Sequence, residues 1–288
     1  MTSPKPLHQM VYEGREGWLF LTGDSNAVVD QITGCYKLPS EFSSIWRTLL
    51  DHRAHMASKH GYKYVLAVVP NKECVYHWHL PDGMALSKKR PINAVIKSDS
   101  NKLIYYMADA FAAAGPERTF SKVDTHWNSF GSILGFNALM IRLGIEPISA
   151  DRFVRKEETI SGDLGGKIGR TERVSKFLLT SPSGRPIENN TVPNIGSRIV
   201  FESGNKSLPR CVIFRDSFTS SQLFLFPERF SRVVYVWQPN LDYSIIEAER
   251  PDFVISQQVE RFLVEPPDDL GGPTQKENEG RKKALSVN

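Results

Sequence analysis

The chain has 288 residues, 40% of them hydrophobic and 24% charged, with 36 Lys and Arg against 32 Asp and Glu for a net charge of +4. That length buries a sizeable core without cross-links, and the composition is ordinary globular usage. It excludes a collagen-like chain, a wholly disordered chain and a small disulfide scaffold, for which Cys35, Cys74 and Cys211 are too few. The basic excess is scattered, with Lys88-Lys89-Arg90 its one tight run before the tail, so nucleic acid is not expected as a partner.

The longest apolar runs are about five residues, such as 65–69, whereas a membrane helix needs ~20. The first eight residues carry a lysine but no apolar stretch, so no secretory signal is expected. By itself this implies work in the cytoplasm, or a leader that has been lost.

In chain order, residues 18–21 are a short apolar run between Gly17 and Gly23 and read as a strand. Pro39-Ser40 opens a helix carrying Phe42, Ile45, Trp46, Leu49, Leu50 and Met56 at 3.6-residue spacing, stopped by Gly61. Residues 64–69 are a β-branched run ended by Pro70, a buried strand. A second helix is expected from Leu103, Tyr106, Met107, Phe111 and Ala114, closed by Gly115-Pro116, and a third from about Asn128 to Leu143, closed by Gly144. Residues 151–209 are rich in Gly, Ser, Pro and charge. They read as a long irregular insertion with short strands at 177–179 and 198–201, and such long loops are often functional. Alternation then resumes: strand 211–214, helix 218–226, strand 233–237, helical turns 243–248, strand 253–256 and helix 259–263. The expected fold is α/β, one domain over 11–264 with a mainly parallel sheet flanked by helices. Residues 265–288 hold only Leu270, Ala284, Leu285 and Val287 as aliphatic or Ala positions and are expected to be a disordered tail.

Two constellations carry chemistry. Asp216-Ser217 directly follows the run 211–214. The carboxyl end of a parallel strand is where ligands bind, and a serine there exposes its hydroxyl beside backbone N–H groups suited to an oxyanion. The same pair also suits a plain helix cap. Asp124-Thr125-His126-Trp127 supplies a base and a carboxylate to orient it; it also suits a loop cap with a surface histidine, or a metal. His77-Trp78-His79 is the one other cluster with ligand-type residues, and no set of three or four ligands accompanies either. No metal or cofactor is therefore expected. Gly23-Asp24-Ser25-Asn26 competes with Asp216-Ser217, since it matches the Gly-Asp-Ser opening of SGNH hydrolases more literally. Ser217 is preferred because a strand–helix–strand–helix–strand succession follows it.

Six blocks in order resemble the alginate O-acetyltransferase family, of the AlgJ/AlgX type. They are Gly14-Arg15-Glu16-Gly17-Trp18-Leu19-Phe20; Val69-Pro70-Asn71-Lys72 with Tyr76 and Leu80-Pro81; Asp124-Thr125-His126-Trp127; Gly162-Asp163-Leu164; Arg215-Asp216-Ser217-Phe218; and Pro251-Asp252-Phe253-Val254 with Glu260-Arg261. The resemblance implies an SGNH-hydrolase-like fold with permuted blocks, Ser217 as nucleophile, His126 as base and Asp124 as its orienter. Arg215 stands where relatives often have Gly, which bears on access to the site. The strand-end amides Asn71, Gln238 and Gln257 are candidates for the oxyanion site. Trp127 and Trp237 are candidates to stack on sugar rings, and Lys167, Arg170 and Arg173 give 151–209 a basic character suited to an anionic polymer.

The implied activity is O-acetyl transfer through a serine acyl-enzyme onto a bacterial exopolysaccharide in the periplasm or cell envelope. A membrane-bound O-acyltransferase is a possible source of the acetyl donor. The alternatives are an esterase with the same triad, in which water is the acceptor, and a non-catalytic polysaccharide-binding protein.

Overall fold

The computed structural model describes residues 6–114 and 118–286. The chain begins with a small hairpin, β1 (Val11–Glu13) and β2 (Leu19–Leu21), then α1 (Val28–Thr33) and the long α2 (Phe42–His60). β3 (Lys63–Val69), α3 (Lys72–Val75), α4 (Pro91–Ser98), β4 (Ile104–Tyr106), α5 (Ala108–Ala112) and α6 (Ser129–Leu143) follow. Next come β5 (Phe153–Ile160), the single turn α7 (Gly162–Gly165), β6 (Glu172–Leu179), β7 (Gly184–Asn189), β8 (Arg198–Ser203) and β9 (Arg210–Arg215). The chain closes with β10 (Arg232–Trp237), α8 (Tyr243–Glu249), β11 (Phe253–Val259) and α9 (Gln275–Ser286).

The main sheet has the order β4-β3-β11-β9-β10-β8-β7. Its first five strands are mutually parallel; β8 runs antiparallel to β10, and β7 antiparallel to β8. Both faces are covered, so the interior positions of β9 and β10 are apolar or aromatic throughout, while β11 turns polar at Ser256, Gln257 and Gln258 toward its carboxyl end. Along β9, Cys211 and Ile213 join one core with Phe136 and Leu139 of α6, Phe111 of α5 and Phe20 of β2. Val212 and Phe214 join the other, with Trp46 and Leu50 of α2, Ile92 of α4 and Ile246 of α8. α2 buries Phe42, Trp46, Leu49, Leu50, Arg53 and Ala57, a stripe at helical spacing, and Gly61 ends it with φ 74°. Because β3, β9, β10 and β11 are parallel, their carboxyl ends lie on one edge of the sheet. Among the described residues, no helix is long and apolar enough to cross a membrane.

The second expected helix is instead β4 followed by α5. Ile104, Tyr105 and Tyr106 pair with Leu66, Ala67 and Val68 of β3, and a short apolar-aromatic run is readable at either period. Gly115-Pro116, its expected end, lies outside the described residues. Segment 151–209 is far more regular than expected. β5 and β6 form a hairpin paired over eight positions, and β7 and β8 extend the main sheet; the expected strands at 177–179 and 198–201 are parts of β6 and β8, while the charged, half-exposed remainder lacks the apolar alternation that would reveal it. The helices expected at 218–226 and 259–263 are 3-10 turns, Ser217–Gln222, Phe226–Glu228 and Glu260–Val264.

The expected disordered tail is ordered through residue 286. Its anchors are polar, which a count of aliphatic residues does not detect. Asp269 takes two hydrogen bonds from Arg53, at 2.7 Å each, with the two side chains 1% and 0% exposed. The Gln275 backbone N–H donates to Asp242, and Asn278 to the Gln238 side chain.

Candidate active site

Asp124 and His126 sit in the loop between α5 and α6. Burial alternates along it: Val123, Thr125 and Trp127 are buried, while Asp124 and His126 are half-buried. The Asp124 carboxylate bends back on its own loop. Its Oδ1 accepts the His126 backbone N–H at 2.8 Å and lies 2.9 Å from His126 Nδ1. His126 Nε2 lies 2.8 Å from Ser217 Oγ. With the Nδ1 proton directed to Asp124, Nε2 is left as acceptor for the serine hydroxyl. Burial pushes the Asp124 carboxyl up, but hydrogen bonds from the His126 ring and backbone outweigh it and hold the group down to about 2.

Ser217 opens the 3-10 turn that follows β9. Its neighbour Asp216 is the cap: Oδ1 accepts Phe218 N–H at 2.9 Å, and Oδ2 accepts Val259 N–H at 2.7 Å from the end of β11. The capping reading of this pair therefore holds for the aspartate, while the serine faces the imidazole. Trp127 fastens the two segments together. Its indole N–H donates to Phe218 O at 3.0 Å and Ser221 Oγ at 2.8 Å, and its ring lies 6.1 Å from Phe111. At 5% exposure it packs in the core and offers no platform to a sugar.

Asp163, in α7, completes the site and had no role assigned from sequence. Its carboxylate accepts the Thr125 backbone N–H at 2.7 Å and the Thr125 hydroxyl, while its own N–H donates to Asp124 Oδ2 at 3.3 Å. The turn fits because of Gly162: φ is +60°, and a Cβ there would lie 2.3 Å from Val123 O. The Gly162-Asp163-Leu164 block was visible, but an acid in a glycine turn has no periodicity to mark it. Asp124, His126 and Asp163 bring ligand-type atoms within 4.8 Å of one another. The fold thus assembles a set of three ligand-type residues that the sequence did not show, and each of its four carboxylate oxygens also accepts an N–H or O–H.

Two of the three strand-end amides donate to protein partners. Gln257 donates to Thr219 and Gln222, and Gln238 donates to Asn240 O. Asn71 is fully buried, its Oδ1 near Arg261 at 3.4 Å and its amide nitrogen without a protein partner. Arg215 lies over Trp237, its Cζ 4.1 Å from the ring centroid, and donates to Asp216 O and Ser220 Oγ. Burial lowers its guanidinium to about 10. A cavity of about 210 Å³, lined by Asn26, Arg215, Asp216, Trp237 and Phe262 among others, reaches Asp216 beside the serine but is lined by none of Asp124, His126 and Ser217. A larger hollow of about 760 Å³ lies by β7, α8 and α9 and touches none of the three site residues. Of the basic residues in 151–209, Arg170 is taken by Glu13. Ser25 is exposed; Asp24 caps α1 by accepting the Val28 and Asn26 N–H groups. His79 stacks on Trp18 at 5.0 Å.

A family model described as the SGNH hydrolase-like domain of acetyltransferase AlgX matches residues 11–190. That stretch includes Asp124, His126 and Asp163 and ends before Ser217. Among curated proteins, none matches the sequence. Among solved structures, Bacillus cereus PatB1 with a sulfonyl adduct superposes with a TM-score of 0.71 at 12% identity, over 93% of this chain and 99% of that one. A DHHW family protein from Eubacterium siraeum gives 0.62 at 14% identity, over 87% and 90%. The O-acetyltransferase domain of Pseudomonas putida AlgJ gives 0.57 at 17%, over 96% and 99%. These likenesses show the fold, and with the family match over most of its length the chain belongs to the SGNH hydrolase-like acetyltransferase family of AlgX.

Proposed function

We propose that this protein is a polysaccharide O-acetyltransferase working through a serine acyl-enzyme. The observation that supports it most is the unbroken chain Asp124–His126–Ser217, with contacts of 2.9 and 2.8 Å, in a member of an acetyltransferase family. Ser217 Oγ attacks the carbonyl of an acetyl donor while His126 Nε2 takes its proton. The tetrahedral oxyanion is met by the Ser217 backbone N–H, one of the donors left free at the start of a turn. The imidazolium gives its proton to the departing donor group, and the acetyl group remains on Ser217 as an ester. An acceptor hydroxyl then attacks that ester, His126 taking its proton, and Ser217 leaves with the proton returned. Asp124 stays ionised throughout and stabilises the imidazolium.

Family membership supports a polysaccharide acceptor in the cell envelope and a donor handed over by a membrane-bound O-acyltransferase. The cavity between Asn26 and Trp237 is the proposed seat of one reacting partner. Transfer and hydrolysis share every step but the last, and differ in whether water is kept from the ester.

The test is a fluorophosphonate label with peptide mapping, followed by mass spectrometry of oligosaccharides incubated with an activated acetyl ester. The label should fall on Ser217, Ser217→Ala should abolish acetate release and Ser25→Ala should retain it, and acetylated oligosaccharide should outrun free acetate. Acetate alone would turn the reading to an esterase. Binding without either product would turn it to a scaffold.

A further inference from the structure

The loop that carries Asp124 and His126 is held from behind by one buried cation. Lys72 opens α3, three residues after the end of β3, and is 1% exposed. Its ammonium donates to Asp124 O at 2.6 Å, Lys122 O at 3.3 Å and Ser121 O at 3.4 Å. Three carbonyls thus converge on the three N–H donors of one ammonium. The charge also lies over aromatic faces, 5.5 Å from the Phe20 centroid and 6.0 Å from that of Trp18. Among the described residues no carboxylate is within salt-bridge distance of it. A lysine buried without an ion-pair partner is costly, and an apolar side chain would fill the same space without that cost. What an apolar side chain cannot do is gather carbonyls.

We propose that Lys72 is a positioning residue, whose ammonium draws together the carbonyls of Ser121, Lys122 and Asp124 and so sets the reach of His126 to Ser217. This rests on the reading of Ser217, His126 and Asp124 as the reacting groups. The strongest contact of the cage falls on Asp124 itself, two residues from the imidazole. A displacement of about 1 Å in a catalytic group costs about 10²-fold in rate. The cage is sensitive to alkali. Burial lowers Lys72 to about 8, while the carboxylates of Glu73, Asp163, Asp124 and Glu172 oppose a further fall. Arg118, a second cation, lies over the same Trp18 ring. Loss of the proton removes the charge and one donor, and the three carbonyls are no longer drawn together.

Two measurements test this. In the intact wild-type protein, nitrogen-15 NMR should show the His126 ring signals shifting in step with the titration of Lys72 Nζ near pH 8. In steady-state assays with an activated acetyl ester, Lys72→Met should lower kcat by about 10²-fold with KM little changed, and remove the alkaline limb of the pH profile. Lys72→Arg should recover part of kcat and move that limb upward. His126 signals that ignore the Lys72 titration would overturn the proposal, as would a folded Lys72→Met enzyme with wild-type kcat and pH profile. If Lys72→Met does not fold, the wild-type titration decides alone. Coupled titration in a protein without acyl transfer would leave the positioning role standing and overturn the catalytic reading.

Discussion

Asp124 does two jobs, and they separate by pH. It orients the imidazole at neutral pH, and its carboxylate is more acidic in the fold than outside it. Its ordinary value is 3.8 and the folded value about 2, so the stabilisation is fully present above pH 3.8 and is lost as pH falls toward 2. The lost part is worth about 2 kcal/mol. Asp124→Asn should therefore flatten the acid limb of stability in that range, measured as urea midpoints at a series of pH values. The same variant should lower kcat by about 10³–10⁴-fold, because the amide no longer selects the reactive tautomer. The contact of Asp124 with His126 was legible in the sequence because an acid two residues from an imidazole can bend back to it, and few positions offer such a pair. Asp163 was not legible. Its task is to hold Thr125 and Asp124, and that contact joins segments some forty positions apart with no local pattern.

At the scale of elements, the turn α7 is the part most exposed to a single methyl group. Gly162 has φ +60°, and an added Cβ would meet the Val123 carbonyl at 2.3 Å. That carbonyl accepts both Leu164 and Gly165 N–H, at 3.1 and 2.9 Å. Gly162→Ala should push the turn off the histidine loop and destabilise the protein by about 1–3 kcal/mol. A fall in acyl transfer larger than stability alone explains should accompany it, seen by comparing melting temperature with kcat. Elements were readable where burial imposed a period. The strands β3, β9 and β10 and the helices α2 and α6 all announced themselves by apolar spacing. β4 did not, because three residues hold too little of any period. β5 and β7 did not, and β6 and β8 did so only at 177–179 and 198–201, because their exposed faces carry Arg, Lys and Glu in ladders such as Lys176–Glu158, which also guard a sheet edge against pairing with strangers.

At the scale of the whole molecule, the C-terminal segment is tied in by buried charge. Arg53 is on α2 and fully buried; besides Asp269 it donates to Tyr64 of β3. Asp269 also accepts the Leu241 N–H at 2.8 Å. Removing one partner leaves the other charge uncompensated in the interior, so Asp269→Ala should cost about 3–5 kcal/mol, read from urea unfolding. Loss of residues 266–288 should cost at least as much, where composition alone suggests no effect. The tail was misread because low apolar content signals disorder only when no buried polar anchor replaces it.

The strand order carries one more consequence. β11 is the last strand among the described residues, yet it lies inside the sheet between β3 and β9. Until it is in place, the sheet half that begins with β3 and the half that begins with β9 share no ladder. Asp216, next to Ser217, also waits for it, since its second oxygen bonds the Val259 N–H. During synthesis the histidine loop leaves the ribosome first, the serine turn about ninety residues later, and the strand that seats them together last. A nascent chain stalled before residue 253 therefore holds Asp124, His126 and Ser217 but no assembled site, so the proposed chemistry waits for β11 to emerge.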